Sequence, residues 1–486
     1  MIDLTVHDET RRRNAQRARE RGIVIPTFEQ MIHPERLPGD VLRRLAQVGL
    51  WDVDPLNLFR VTWHNAPQAT GGGFGGVNFM EFPPEITGVR ARIFGLVGKW
   101  FPTGAHKVGA AIACLAPRLV TGQFDASRQR AVWPSTGNYC RGGAYISSLL
   151  GCESIAILPE EMSRERFEWL SRIAGEVIAT PGCESNVKEI YDKCWELRGK
   201  RGDDIMIFNQ FDEFGNYLWH HEITGRASED LLDQVMGSRD RFAGFVSSTG
   251  SAGTIACGDY LKRLFPACKV VAGEALQCPT LLENGFGGHR IEGIGDKHVP
   301  WIHNVRNTDM IVAIDDEATM RILRLFNEPA GREHLRGVGV DAGLIEQLDL
   351  LGISSIGNLL GAIKMAKWCE LDERDVVLTV FTDSLELYTS RLAELRASCG
   401  DYTATDAAVD HGRWLLGEST ANLLELTHAD RRRVHNLKYY TWIEQQGREL
   451  DELNAQWHDR DYWDQIAASR AGIDRLITEF NEMVAG

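Results

Sequence analysis

From about Ala91 to Ser390 the chain repeats one pattern: a short apolar β-branched run, a turn rich in glycine and hydroxyl residues, then a helix-length amphipathic stretch. The runs ESIAILP (153–159), AGFVSS (243–248), CKVVAGEA (268–275) and DVVLTVF (375–381) are apolar nearly throughout rather than alternating. Strands buried on both faces read this way, and burial on both faces is the mark of a parallel sheet covered by helices. Stretches 163–173 and 185–197 have helical periodicity and lie between such runs. The pattern predicts an open α/β core. No repeat of about 20–50 residues recurs, which excludes a solenoid.

A chain of 486 residues exceeds one ordinary core. The composition divides it into an N-terminal, partly helical extension (1–90), an N-terminal α/β lobe (91–210), a C-terminal α/β lobe (211–396) and a helical C-terminal extension (397–486). The tail carries Trp414, Trp442, Trp457 and Trp463 in charged sequence and is read as added core, with a cap over the site or a dimer surface as alternatives. A formal charge of −15 argues against a nucleic-acid partner, whose phosphates need neutralising. No apolar run reaches the roughly 18 residues of a membrane span, so no membrane partner is expected. The segment MIDLTVHDETRRR lacks the apolar stretch of a signal peptide, and the ten cysteines are scattered without a CxxC pair. Both features point to the cytoplasm. A small molecule is the expected partner.

Five segments carry candidate chemistry. In PTGAHKVGA (102–110) a turn precedes a small-residue helix, and Lys107 stands at its first turn, where the helix dipole disfavours a cation. Such an amine is either a surface lysine or one held for imine chemistry. PSTGNY (134–139) opens a helix with hydroxyls and backbone N–H groups, and STGSAGT (248–254) follows a strand and precedes a helix, the arrangement that cradles phosphate. HRIEGIGDK (289–297) is a glycine-rich loop with polar groups, and FTDS (381–384) ends a strand, where α/β folds bind ligands. His220 and His221 are adjacent and point apart on a helix, so no metal site is expected from them. Arg431, Arg432 and Arg433 are read as a solvated helix face.

In order and context these segments resemble the fold-type-II pyridoxal-phosphate (PLP) enzymes, nearest the cysteine synthase and cystathionine β-synthase group, over about Ala91 to Arg391. ILPEEMSRERFEWL, NQFDEFGNYLWHHEITGRAS, GISSIGNLLGAIKMA and TDSLELYTSRL extend the likeness. The resemblance implies two open, twisted, mostly parallel lobes with helices on both faces. It implies that Lys107 forms the Schiff base with PLP and that Asn138 bonds the cofactor's ring oxygen. Gly250, Ser251, Ala252, Gly253 and Thr254 would form the phosphate cup. Ser135, Thr136, Gly137, Asn138, Gln210 and Gly293 would hold the substrate, with Phe211 nearby. His106 is similar to the histidine of tryptophan synthase β chains that contacts the cofactor phosphate. Ser384 would meet the pyridine nitrogen, unless its neighbour Asp383 points inward instead.

A neutral hydroxyl at that nitrogen does not enforce its protonation, which favours expelling a β-substituent. The resemblance therefore implies α,β-elimination or β-replacement on a small β-substituted L-amino acid through an aminoacrylate, with a thiol or amine as co-substrate and a homodimer as the assembly. Plain elimination by a lyase, dehydratase or ammonia-lyase, giving a keto acid, shares the same residues. Tyr139 and Cys140 stand where cysteine synthases carry small residues, which puts O-acetylserine in question. Two readings of other kinds stay open: a PLP-binding regulatory or partner subunit with little turnover, and an α/β protein for another phosphorylated ligand.

Overall fold

The computed structural model describes residues 2–68, 71–135, 137–183 and 185–486. Eleven strands are described: β1 (Phe79–Phe82), β2 (Arg92–Val97), β3 (Arg130–Pro134), β4 (Glu153–Pro159), β5 (Glu176–Thr180), β6 (Ile205–Ile207), β7 (Arg241–Ser248), β8 (Lys269–Ala275), β9 (Met310–Ile314), β10 (Asp375–Phe381) and β11 (Leu423–Glu425). They form a seven-stranded sheet in the order β1-β2-β10-β7-β8-β9-β11 and a four-stranded sheet in the order β5-β4-β3-β6. Only the pairings β1/β2 and β9/β11 at the edges of the larger sheet are antiparallel. Every residue of β10 is buried, as its unbroken apolar run requires. The chain is thus an α/β protein with two parallel-dominated sheets.

The expected lobe boundaries meet the structure at two points. Strand β2 opens the 91–210 segment, yet it pairs in parallel with β10 of the larger sheet. Strand β1, inside the 1–90 segment, pairs with β2. The sheet of the first lobe therefore begins at β3, and a strand this short and apolar carries no local sign of which sheet it joins. In the tail, β11 adds a strand to the helices and shields the edge of β9.

Both extensions are built into the core. Helix Asp8–Glu20 packs on the last helix, Tyr462–Ala485. Arg11 donates to the Leu476 carbonyl and to Glu479, and Arg19 donates to the carbonyls of Met483 and Val484. The helix His428–Lys438 begins at a Thr427/Asp430 capping box. Its end buries Lys438, whose Nζ donates to the carbonyls of Trp301 (2.9 Å) and His303 (2.7 Å) and to Gln456 Oε1 (2.8 Å). Trp442 is fully buried and donates its indole N–H to the Val299 carbonyl. An aromatic of that size buries about 150–250 Å², roughly 4–6 kcal/mol of apolar burial. The tail thereby clamps the segment that follows residues 293–296, which line the cleft described below. Two of the three arginines at 431–433 are half-buried and bonded to the protein: Arg431 donates to the Thr308 carbonyl and Asp309, and Arg433 to the Leu281 carbonyl. Arg432 lies over the Trp457 ring.

Candidate active site

The cleft lies where the carboxyl ends of β3, β7 and β10 come together. Its walls include His106, Lys107, Ser135, Asn138, Tyr139, Gln210, Phe211, Gly250, Ser251, Gly293, Asp296, Ser354 and Thr382. Eight residues expected from the sequence in cofactor or substrate roles stand together here, namely His106, Lys107, Ser135, Asn138, Gln210, Gly250, Ser251 and Gly293. Thr136 lies outside the described residues.

Lys107 is the first residue of helix Lys107–Thr121. The turn before it places Thr103 and Gly104 at φ 69° and 70°, bringing the chain sharply off the sheet. Lys107 Nζ donates to Ser251 Oγ (2.9 Å) and to Gln210 Oε1 (3.1 Å). One amine thus touches both the 250–254 loop and a side chain from beyond β6. Gln210 Nε2 donates to Ser135 Oγ (3.2 Å), which also accepts the Gly137 N–H (3.1 Å).

The 249–255 loop joins β7 to helix Ala256–Leu264. A Cβ at Gly250 would lie 2.7 Å from the Gly293 carbonyl, and one at Gly253 would lie 2.2 Å from Asn216 Oδ1. Ala252 has φ 60°. Glycine at 250 and 253 thus lets the backbone approach closely at the start of a helix, as an anion cradle requires. Thr254 Oγ1 is bonded to Ser247 Oγ (2.6 Å).

His106 is buried, and its ring lies parallel to Trp63 with centroids 6.0 Å apart. Burial, aided by Lys107, lowers its pKa to about 3, so the ring is neutral. Its Nδ1 lies 3.3 Å from the Thr382 carbonyl, which can only accept, so the proton sits on Nδ1. Nε2 then presents a lone pair, with nothing to donate to a phosphate. The structure makes His106 a wall of the cleft.

The end of β10 also differs from expectation. Ser384 is fully buried and its Oγ has no hydrogen-bond partner, whereas Thr382 lines the cleft. Thr382 Oγ1 is 2.8 Å from Ser354 Oγ, and Ser354 also lines the cleft. Asp383 turns away from that pair. Its Oδ2 accepts Asn138 Nδ2 (2.5 Å) and the Tyr388 hydroxyl (2.6 Å). Burial raises its pKa. The physical reason is that the chain leaves the strand after Phe381, so the two-residue alternation used to compare 383 with 384 no longer holds there. Ser354 was legible only as a residue of GISSIGN, which carried no assigned role. Asp296 lies in HRIEGIGDK, whose sequence gives it no distinct role.

Behind the 135–138 loop lies a buried charge cluster. Arg166 Nη1 donates to Glu292 Oε2 (2.5 Å), and Arg391 Nε donates to Glu292 Oε1 (2.6 Å). Arg166 Nη2 donates to the Tyr388 hydroxyl (2.9 Å). A Cβ at Gly137 would lie 2.5 Å from Arg166 Cζ, so only glycine fits against that guanidinium. Tyr139 is buried edge-on against Trp133 and lines the cleft.

An α/β fold of two parallel-dominated sheets with a lysine-bearing helix facing a glycine cradle is that of the fold-type-II PLP enzymes. Residues 100–335 match the family described as pyridoxal-phosphate dependent enzyme. Cysteine synthase of Staphylococcus aureus is 30% identical over 290 residues, covering 60% of this chain and 84% of that protein. Cystathionine beta-synthase of Saccharomyces cerevisiae is 25% identical over 322 residues, covering 64% of this chain and 59% of that protein. The cysteine synthase structure from Entamoeba histolytica superposes with a TM-score of 0.57 at 18% identity, covering 71% of this chain and 94% of that one. The chain belongs to the pyridoxal-phosphate-dependent enzyme family, and pyridoxal phosphate is its cofactor.

The residues present fit that group. Asn138 Oδ1 and Asp296 Oδ2 are buried polar atoms without a hydrogen-bond partner, and both belong to residues lining this cleft. Each such atom disfavours the protein by about 1–3 kcal/mol unless something bonds it. Beside them the glycine loop leaves space against a helix N-terminus.

Proposed function

We propose that this enzyme removes the β-substituent of a small L-amino acid, by elimination or by replacement with a thiol or amine. The observation that carries the reading is the position of Lys107 Nζ, 2.9 Å from the cradle residue Ser251 and 3.1 Å from Gln210 on the opposite wall. Lys107 would hold the cofactor's aldehyde carbon, the backbone of 250–254 its phosphate, Asn138 its ring oxygen, and the Ser354–Thr382 hydroxyl pair its ring nitrogen. When bound, pyridoxal phosphate withdraws electrons from the Cα of an attached amino acid.

Lys107 would take the Cα proton of the bound amino acid on Nζ. Ser135, Gly137 and Gln210 form the wall that receives the substrate carboxylate, Ser135 and Gln210 being already bonded to each other. The neutral pair Ser354–Thr382 replaces Ser384 in the role read from the sequence. With a hydroxyl pair at the ring nitrogen and Asp383 Oδ2 taken up by Asn138 and Tyr388, β-substituent loss is favoured over transamination. Tyr139 restricts the pocket to a small substrate. A homodimer is the expected assembly.

Mixing the holoenzyme with serine, threonine, cysteine, O-acetylserine, O-phosphoserine and diaminopropionate tests the reading. One of them should shift the visible spectrum, and added thiol or amine should then return it while forming a new amino acid. A visible spectrum that none of the six alters contradicts a small β-substituted substrate.

A further inference from the structure

Loss of a β-substituent moves two protons: one leaves Cα, and another must reach the departing group or leave the incoming nucleophile. Lys107 accounts for the first. Among the described residues lining the cleft, few groups can carry the second near neutrality. His106 is held neutral, with Nδ1–H committed to the Thr382 carbonyl. Burial pushes the Tyr139 hydroxyl well above its ordinary range. The hydroxyls of Ser135, Ser251, Ser354 and Thr382 are bonded to one another's neighbours and are poor acids. Asp296 remains.

Asp296 is buried on the cleft wall, and its Oδ2 has no hydrogen-bond partner. Its backbone is held firmly. Thr280 Oγ1 donates to the Asp296 carbonyl (2.8 Å), and the preceding Gly295 donates its N–H to the Thr249 carbonyl (2.9 Å) and accepts from His289 Nε2 (2.8 Å). The groups that face the carboxyl are the Lys107 ammonium, the Tyr191 hydroxyl of helix Val187–Arg201 and the Cys278 thiol. Burial raises both the tyrosine and the cysteine, so both are neutral. The adjoining Lys297 reaches outward to Glu189 at 3.8 Å, and His298 packs on Tyr191. Burial lifts Asp296 to about 7, with Lys107 opposing the rise. Both of its protonation states are therefore populated at neutral pH, as acid–base work requires.

We propose that Asp296 is the acid–base residue on the β-carbon side, distinct from Lys107 on the α-carbon side. This rests on the reading of the cleft given above. As the bond from Cβ to the leaving group X breaks, its electron pair stays with X, and the proton on Asp296 moves to X, giving H–X and an Asp296 carboxylate. In replacement, the carboxylate takes the proton of H–Nu (water, a thiol or an amine) while the electron pair of Nu forms the new bond to Cβ. The net change is H–X for H–Nu, with Asp296 returned to its acid form.

The test uses the holoenzyme and an Asp296→Asn variant, with NMR in deuterated water to follow Cα–H exchange and release of X separately. The expected result is exchange within about 3-fold of the native enzyme with release slowed about 100-fold or more, together with loss of the limb near pH 7 from the pH profile. Asp296→Glu should recover at least part of the release. A second readout needs no turnover. A carboxyl raised from about 4 in the unfolded chain to about 7 in the fold makes native stability fall as pH rises between those values, so the apoprotein melting temperature of D296N relative to native should climb from pH 4 to 7 and then level off. Release and pH profile unchanged in D296N overturn the proposal, and so does an equal loss of exchange and release, which marks a positioning role. Absence of Cα–H exchange in the native enzyme with every amino acid tried overturns the reading of the cleft, and this proposal with it.

Discussion

Lys107→Ala lowers turnover by about 10⁴-fold, the upper range for removing a positioned proton carrier, while the melting temperature stays within a few degrees of native. The residue is only partly buried, and its amine bonds the cleft residues Ser251 and Gln210. Its stem fills no core cavity, so its loss does not loosen the packing of helix Lys107–Thr121. Steady-state assay with the substrate found in the spectral panel, alongside a thermal melt, separates the two effects. Retention of more than a tenth of native turnover contradicts the assignment of the Cα proton to Lys107.

Arg166→Met is the substitution with the largest expected effect on stability. The Arg166 side chain is fully buried and that of Glu292 is 3% exposed. Removing one member of a buried ion pair leaves the other charge without its partner, a loss of about 3–5 kcal/mol. Arg391 still reaches Glu292 at 2.6 Å, which holds the loss toward the lower end. Arg166 also backs Gly137 and bonds Tyr388, which in turn holds Asp383 and through it Asn138. The variant should therefore unfold at lower denaturant and bind cofactor more weakly. Arg166→Met combined with Glu292→Met should recover part of the stability, because no carboxylate is then left buried and Arg391 keeps its pairing with Glu394. A loss under about 1 kcal/mol for the single variant contradicts the ion pair's part in the fold.

Much of this architecture is local information. Strands β4 and β10 coincide with the runs ESIAILP and DVVLTVF, because burial on both faces imposes apolar residues at most positions. The lysine, the asparagine loop and the glycine cradle each mark a strand-to-helix turn, a signal that lies within ten residues of sequence. What the sequence concealed depends on contacts between distant segments. Nothing in DETRRRNAQRARE shows that Arg11 bonds Glu479. Asp296 becomes chemically distinctive only when the loops at 249 and 280 enclose it. Ser354 joins the site because helix Ile353–Trp368 starts beside Thr382.

The account's central claim is that the cofactor is carried on Lys107. Borohydride reduction of the yellow holoprotein followed by peptide mass mapping tests this most directly. The account predicts a phosphopyridoxyl group fixed on the lysine of the segment TGAHKVGA. A label on any other lysine, or a protein that takes up no visible cofactor, contradicts it.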